Sequence, residues 1–297
     1  AEPQLKLRKG DRISYIGNTL ADRMQHAAWL ETYLHAAYPE LELTVRNLGF
    51  SGDELKLRPR EENFGSPDQW LTKTGSSVVF CFFGYNEALK GDAGLPQFKK
   101  DLAETIDGML AQKYDGEAAP RLVFFSPIAH ENLRSPHLPD GTANNEKLAK
   151  YTLAMEEVCR SKKVAFVDLF SATKKLYASV EKPLTVNGIH LLDHGDRAVA
   201  NVIVKELFGI EKQNLPEAEL EKIRQAVLDK NYHWFSRYRV IDGYNVFGGR
   251  SKLAWFGQSN ADVMMREMEI LDVMTVNRDK RVWAVARGSE AKVEDNN

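Results

Sequence analysis

The chain has 297 residues, 43% of them hydrophobic, which is enough for one large domain or for a domain with an appendage. Its 40 basic and 42 acidic residues nearly cancel and form no basic block, which argues against a nucleic-acid partner or a charged membrane surface. No apolar run approaches the roughly 20 residues of a membrane span. Cys81 and Cys159 have neither CxxC nor zinc-ligand spacing, so we expect two buried free thiols.

Short apolar runs alternate with amphipathic runs along the first part of the chain. The predicted strands are 12–16, 42–48, 77–83, 121–126 and 164–169. The predicted helices are about 22–37, 96–113, 145–161, 171–180 and 193–208. Strands that alternate with helices predict a parallel sheet covered on both faces, with a ligand site outside the carboxyl ends of the strands.

The later part of the chain differs in character. Pro216 is placed to open an amphipathic helix, and a second long helical pattern ends the chain. We therefore expect an α/β domain at 1–210 and a mostly helical extension at 211–297 that packs on it. Between the two helical patterns, the segment 233–250 mixes aromatic residues with arginines. This segment either binds sugar rings and carboxylates or anchors the extension to the α/β domain.

Four polar segments lie at predicted strand ends or in the loop before the last helix of the α/β domain. They are Gly17-Asn18-Thr19-Leu20, Asn47-Leu48-Gly49-Phe50-Ser51-Gly52, Gly84-Tyr85-Asn86-Glu87 and Asn187-Gly188-Ile189-His190. In this order they resemble the sequence blocks of the SGNH (GDSL-type) hydrolases, over about residues 10–208. The resemblance implies a flavodoxin-like three-layer α/β sandwich with a five-stranded parallel sheet. It also implies hydrolysis of esters of lipids, sugars or small acyl groups.

The resemblance gives each block a role. Thr19 takes the place of the serine nucleophile, His190 that of the general base, and Asn187 that of the aspartate that orients the imidazole. The N–H groups of Thr19 and Gly49 and the side chain of Asn86 would form the oxyanion hole. The residues expected to contact the substrate are Asn18, Tyr85, Glu87 and His130.

Two departures from the family pattern bear on activity. The methyl group of Thr19 restricts χ1 and crowds attack, and its hydroxyl could instead cap the following helix. Asn187 accepts a hydrogen bond but cannot stabilise an imidazolium by charge, and the corresponding change in a serine protease lowers turnover about 10⁴-fold. Asp193 and Asp196 either replace the missing acid or stabilise the N-terminus of the last helix. Besides ester hydrolysis, two other functions are compatible with these residues. One is an inactive scaffold that binds a glycan or a partner domain, and the other is acyl transfer.

No cofactor and no metal are expected. His130 and Glu131 form a candidate metal pair, but no third ligand has suitable spacing. The expected substrate is a small-molecule or glycan ester, with acylated carbohydrate favoured by family analogy. The chain looks more closely like the SGNH-type modules of exported planctomycete-type proteins, and its Ala-Glu-Pro start is typical of signal-peptide cleavage. We therefore expect a secreted or periplasmic location and further domains of a longer chain.

Overall fold

A computed structural model describes residues 3–60 and 62–296 of the chain. Its strands are β1 (Arg12–Gly17), β2 (Thr44–Asn47), β3 (Val78–Phe82), β4 (Arg121–Phe125) and β5 (Ala165–Val167). They pair in parallel in the order β2-β1-β3-β4-β5. This order is that of flavodoxin-like sheets, in which the chain reverses its direction of winding between β1 and β3. The predicted fold class is confirmed.

Helices cover both faces of the sheet. They are α1 (Thr19–Ala27), α2 (Trp29–Ala37), α3 (Pro67–Lys73), α4 (Tyr85–Ala88), α5 (Gly91–Leu110), α6 (Thr142–Lys162), α7 (Leu169–Ser179) and α8 (Asp193–Phe208). The single helix predicted at 22–37 is two helices, because Ala28 between α1 and α2 adopts a left-handed conformation with φ of 65°. The short helix α3 was not predicted.

Strand side chains alternate between two hydrophobic cores. Tyr15, Phe80 and Phe82 pack with α1, α2 and α8 on one face, whereas Cys81 packs with α5 and α6 on the other. Both faces of a parallel sheet are buried, which is why its strands read as continuous apolar runs. Cys81 and Cys159 are both unpaired and buried, and burial raises the pKa of each thiol.

The C-terminal region is mostly helical. Its elements are α9 (Glu217–Tyr238), α10 (Gly243–Val246), a hairpin of β6 (Ala254–Trp255) and β7 (Gln258–Ser259), and α11 (Asn260–Ala286). Helices α9 and α11 pack against each other, and α9 lies against the edge strand β2. Across the described ranges, no helix combines the length and the apolar character needed to cross a membrane.

Side chains of α9, one turn apart, donate hydrogen bonds to carbonyl groups of β2 and of the residue that follows it. The bonds run from Lys230 Nζ to Val45 (2.9 Å), from Trp234 Nε1 to Asn47 (2.8 Å) and from Tyr238 OH to Leu48 (3.2 Å). Helix α9 therefore runs in the same direction as β2 and covers an edge that would otherwise expose unpaired backbone groups. These contacts favour the anchoring interpretation of the aromatic segment 233–250.

Two buried ion pairs join the same elements. Lys230 lies 2.8 Å from Glu31 of α2, and Arg46 of β2 donates to Asp279 of α11 at 2.9 Å. The Lys230 side chain is fully buried, and burial lowers its pKa against the attraction of Glu31. Because each ion is taken out of water, loss of one partner would leave the other charge uncompensated.

Candidate active site

A cavity of about 460 Å³ lies at the carboxyl edge of the sheet, where β1, β3 and β4 end. Thr19, Asn86 and His190, which come from three separate blocks, all line it, together with Asn18 and Tyr85. The apolar part of its wall consists of Leu20, Ala27, Phe82, Phe83, Pro127, Ile128, Ile189, Leu191 and Leu192. The position between β1 and β3 is where open α/β sheets bind ligands.

The first block forms a tight turn from β1 into α1. Gly17 has φ of 134°, and a Cβ atom on it would lie 2.0 Å from the carbonyl oxygen of Phe82. Asn18 caps α1, because its Oδ1 accepts a hydrogen bond from the Leu20 N–H (3.2 Å). Thr19 is therefore the first helical residue and not the cap. In the described part of the chain its hydroxyl makes no hydrogen bond to the helix or to His190.

The second block holds α1 in place. A Cβ atom on Gly49 would lie 2.6 Å from the Asp22 nitrogen, so only glycine fits under the helix. The Gly49 N–H donates to Asn47 Oδ1 (2.8 Å), and Asn47 Nδ2 donates to the Ala21 carbonyl (2.6 Å). Ser51 Oγ donates to Asp22 (2.8 Å). Contrary to the sequence prediction, the structure engages the Gly49 N–H within the protein and does not present it to the cavity.

The third block brings Asn86 to the cavity and keeps Glu87 away from it. Glu87 is buried, and its two carboxylate oxygens accept hydrogen bonds from the N–H groups of Gly84 and Leu55, both at 2.9 Å. Both oxygens are thus used to hold the turn that presents Asn86. The expectation that Glu87 contacts the substrate is not met, because its side chain accepts hydrogen bonds from backbone N–H groups and does not line the cavity.

His130 and Glu131 support the fourth block from behind. A Cβ atom on Gly188 would lie 2.5 Å from His130 Nε2, and His130 Nδ1 accepts from Asn144 Nδ2 (3.1 Å). The Glu131 carboxylate accepts from the Thr185 N–H (2.8 Å). His130 therefore packs beneath the loop and does not line the cavity, contrary to the predicted substrate contact. Within residues 3–60 and 62–296, no group of three or more His, Cys, Asp or Glu side chains is placed to hold a metal.

The Asn187 side chain faces His190 with its nitrogen. Asn187 Nδ2 lies 2.9 Å from His190 Nδ1, while Oδ1 accepts from the backbone N–H groups of Ile189 (3.2 Å) and His190 (2.9 Å). Backbone N–H groups can only donate, so they fix the orientation of the amide, and Nδ2 must donate to Nδ1. A neutral imidazole with an acceptor Nδ1 carries its proton on Nε2. That tautomer is the opposite of the one a general base for Thr19 needs.

Arg23 is a cavity residue that the sequence blocks did not indicate. It lies one helical turn after Thr19 on α1, which places both on one face of the helix. Its Nη2 donates to the Leu191 carbonyl (3.2 Å). Burial, and then the positive charge of Arg23, lower the pKa of His190 from its ordinary value of 6.5, so the imidazole is neutral at pH 7.

Neither acid of the first turn of α8 replaces the missing aspartate. Asp193 accepts from Arg224 Nη2 (2.6 Å) and from Trp29 Nε1 (3.3 Å), which directs it away from His190. Asp196 lines the cavity and is buried, yet it has no hydrogen bond to His190 in the part of the chain that the structure describes.

A sequence profile of the GDSL-like lipase and acylhydrolase family matches residues 10–198, which is more than half of the chain. The chain belongs to this family. Its departures at Thr19 and Asn187 are therefore departures within a GDSL-family domain. No curated protein matches the sequence.

Solved structures similar to this GDSL-family chain have low sequence identity to it. A gut microbial diltiazem-metabolizing enzyme aligns with a TM-score of 0.56 and 16% identity, over 69% of this chain and 48%, about half, of that chain. A catalytic mutant of Axe2, an acetylxylan esterase from Geobacillus stearothermophilus, has a TM-score of 0.54 and 16% identity over 69% and 97% of the two chains. LAE5, an alpha/beta hydrolase enzyme from the metagenome of Lake Arreo, Spain, has a TM-score of 0.51 and 18% identity over 69% and 98%. At these identities the likeness shows a shared fold.

Proposed function

We propose that this GDSL-family chain is an ester hydrolase that acts on acylated carbohydrate, with Thr19 as the attacking residue. The observation that carries the proposal is that Thr19, Asn86 and His190 line one cavity at the switch point of the sheet. The choice of carbohydrate is supported by the fold shared with Axe2, which is named an acetylxylan esterase. Polar side chains of the cavity wall, among them Arg23 and Tyr85, suit the hydroxyl groups of a sugar.

The reaction proposed for this site is acyl transfer to threonine followed by hydrolysis. Thr19 Oγ1 attacks the acyl carbon while His190 Nε2 takes the hydroxyl proton, and His190 then gives that proton to the departing alcohol. The Thr19 N–H, at the positive end of α1, and the Asn86 amide would stabilise the oxyanion, each by about 3–4 kcal/mol. Water activated by His190 cleaves the acyl-threonine ester and releases the acid.

The observed hydrogen bonds make this reaction slow. To free Nε2, the imidazole proton must move to Nδ1, and the Asn187 amide must turn its oxygen toward the ring. The turn breaks the two hydrogen bonds from the Ile189 and His190 N–H groups, at about 0.5–1.5 kcal/mol each. A total of roughly 1–3 kcal/mol lowers the population of the competent tautomer about 5- to 150-fold.

A second candidate function is binding without cleavage, and the orientation of the Asn187 amide favours it. In the tautomer inferred from this hydrogen bond, His190 carries its proton on Nε2, and Asn86 and Arg23, which line the same cavity, also carry N–H donors. A wall of donors without a free base suits the carbonyl oxygen of an acetylated sugar and holds it without attack.

The test measures hydrolysis of short-chain aryl esters and of acetylated xylooligosaccharides. Loss of activity in both Thr19→Ala and His190→Ala supports a threonine esterase. Thr142→Ala and His194→Ala are matched controls that should keep activity, because Thr142 is also the first residue of a helix and both side chains are exposed. Activity that survives in Thr19→Ala would overturn the proposal. A wild type that binds acetylated oligosaccharide by calorimetry without cleaving it, and loses the binding in Asn86→Ala, would favour the second candidate.

A further inference from the structure

Asp196 is a buried carboxyl group that the proposed reaction does not use. It lies in the first turn of α8 and lines the same cavity as Thr19, with 5% of its surface exposed. Among the described residues its Oδ2 finds no hydrogen-bond partner. Leaving a buried polar atom unpaired is unfavourable, so an unpaired carboxyl oxygen beside a cavity points to a group on a bound molecule.

Asp196 and Thr19 lie toward opposite ends of α1. The cavity wall follows this helix from Thr19 to Ala27, which is about 12 Å at 1.5 Å per residue. Trp29, which comes just after α1, lies near enough to Asp196 for its backbone N–H to lower the pKa of that carboxyl group. The wall between the two ends carries apolar side chains, including Leu20, Phe82 and Ile128, and two polar side chains of α1, Arg23 and His26. The cavity therefore has a polar group at each end and a mostly apolar wall between them, which Arg23 and His26 interrupt.

The surroundings of Asp196 favour its protonated form. Burial, and next the negative charge of Asp193, raise the pKa of Asp196 to about 8. The Trp29 N–H and the guanidinium groups of Arg224 and Arg23 act in the opposite direction with smaller effect. At pH 7 the Asp196 carboxyl therefore carries a proton and is a hydrogen-bond donor.

The neighbouring charges restrict what can bind at this end. A cationic ligand group would lie near Arg23 and Arg224, and an anionic one would lie near Asp193. Burial first, and then the negative charges of Glu31 and Asp196, raise the pKa of Tyr15 of β1 well above 10, so Tyr15 stays neutral. A neutral oxygen acceptor is opposed by none of these groups.

We propose that the cavity binds an elongated ester whose buried arm ends in a neutral oxygen, such as a keto, ether or hydroxyl oxygen, that accepts a hydrogen bond from Asp196. The position of the ester group beside Thr19 rests on the proposed function. The hydrogen bond to Asp196 is independent of it, because it requires binding and not turnover.

The experiment measures equilibrium binding of amides, which replace the ester and resist hydrolysis. N-methyl-7-oxooctanamide and N-methyloctanamide have equal chain length and differ by one keto oxygen. Pairs with six and ten carbons cover the length of the cavity. Calorimetry at pH 7 should show the wild type binding the oxo amide of the fitting length about 10- to 100-fold more tightly than its alkyl partner.

The pH dependence identifies Asp196 as the donor. The preference for the oxo amide should decline as pH rises through about 8, because the ionised carboxylate cannot donate. His26 and His190, which also line the cavity, have pKa values lowered below 6.5, mainly by burial, and do not titrate in this range. Asp196→Asn should keep the preference at every pH, since its amide donates without ionising. Asp196→Leu should lose it at every pH.

Three results would overturn the proposal. One is equal affinity of the wild type for oxo and alkyl amides at every length, which means that a trapped water alone satisfies Asp196. Another is that Asp196→Leu still binds the oxo amide more tightly than the alkyl amide. If Asp196→Leu does not fold, the corresponding result is that the preference of Asp196→Asn for the oxo amide still declines as pH rises through 8. The third is no binding of any probe. A wild type that shows the Asp196-dependent preference but hydrolyses no ester would count against the proposed function alone.

Discussion

Replacing Asn187 with aspartate should convert His190 from a hydrogen-bond donor into a base. The Asn187 side chain has one oxygen, and the backbone N–H groups of Ile189 and His190 already use it. A carboxylate adds a second oxygen at the place of Nδ2, which lies 2.9 Å from His190 Nδ1. That oxygen accepts the Nδ1–H, so Nε2 becomes free to take the proton of Thr19.

The expected gain has two parts. In the variant, the His190 tautomer with its proton on Nδ1 forms without breaking the two backbone hydrogen bonds. This saves about 1–3 kcal/mol and raises the population of that tautomer roughly 5- to 150-fold. The carboxylate also stabilises the imidazolium, and in a serine protease the whole effect of this residue is about 10⁴-fold, or ~5 kcal/mol. We expect Asn187→Asp to raise kcat by about 10²- to 10⁴-fold. Thr19→Ser should add a smaller gain that is not additive, because both residues act through His190.

The assay compares kcat on aryl acetates for the wild type, both single variants and the double variant. Asn144→Asp is the matched control, because Asn144 Nδ2 lies 3.1 Å from Nδ1 of His130 and the change places the same carboxylate beside a histidine outside the cavity wall. Nitrogen-15 NMR should show His190 protonated on Nε2 in the wild type and on Nδ1 in Asn187→Asp. A variant with the proton on Nδ1 and no gain in kcat would refute the reasoning.

Three further predictions concern pH, stability and metal. The acid limb of the pH profile of kcat/KM should lie below pH 6.5, because His190 must be neutral and because burial and the charge of Arg23 lower its pKa. Arg23→Gln removes that charge and should move the limb to higher pH. Lys230→Met should lower the free energy of unfolding in urea by about 3–5 kcal/mol, since the buried Glu31 loses its lysine partner, whereas the exposed control Lys222→Met should have little effect. Chelators should leave hydrolysis unchanged, because no cluster of metal-binding side chains is found in the described ranges.

The architecture was predictable because its signals are local. Four of the five strands are rich in apolar residues, β2 (Thr-Val-Arg-Asn) being the exception, and the helices between the strands supply the amphipathic pattern that a parallel sheet needs on both faces. Thr19, Asn86 and His190 converge because two of them follow strand ends and the third precedes α8. The boundary at residue 210 stays a prediction.

The details of the site depend on contacts that no motif spacing encodes. Which atom of Asn187 faces His190 is decided by two backbone N–H groups of the same turn. Glu87 lies within a family block, yet its carboxylate accepts hydrogen bonds from the backbone N–H groups of Gly84 in its own loop and of Leu55 in a neighbouring loop. Asp196 reads as an ordinary acid of a first helical turn, and only the packing of α8 against the rest of the fold shows that it is buried.

The hydrogen bonds from α9 to the edge of β2 depend on a near match between the rise of a helix and the rise of a strand. Four residues of a helix rise about 6.0 Å, and two residues of a strand rise about 6.6 Å, so donors at every fourth position of α9 stay almost in step with alternate carbonyl groups. Lys230 and Trp234 follow this match, because they donate to Val45 and Asn47, whereas Tyr238 donates to Leu48, one residue beyond Asn47. The mismatch of about 0.6 Å per step accumulates, so a helix can replace a neighbouring strand only beside a short one, and β2 has four residues. One residue inserted between Lys230 and Trp234 would rotate the later donors by about 100° and reopen the end of the strand nearest the cavity.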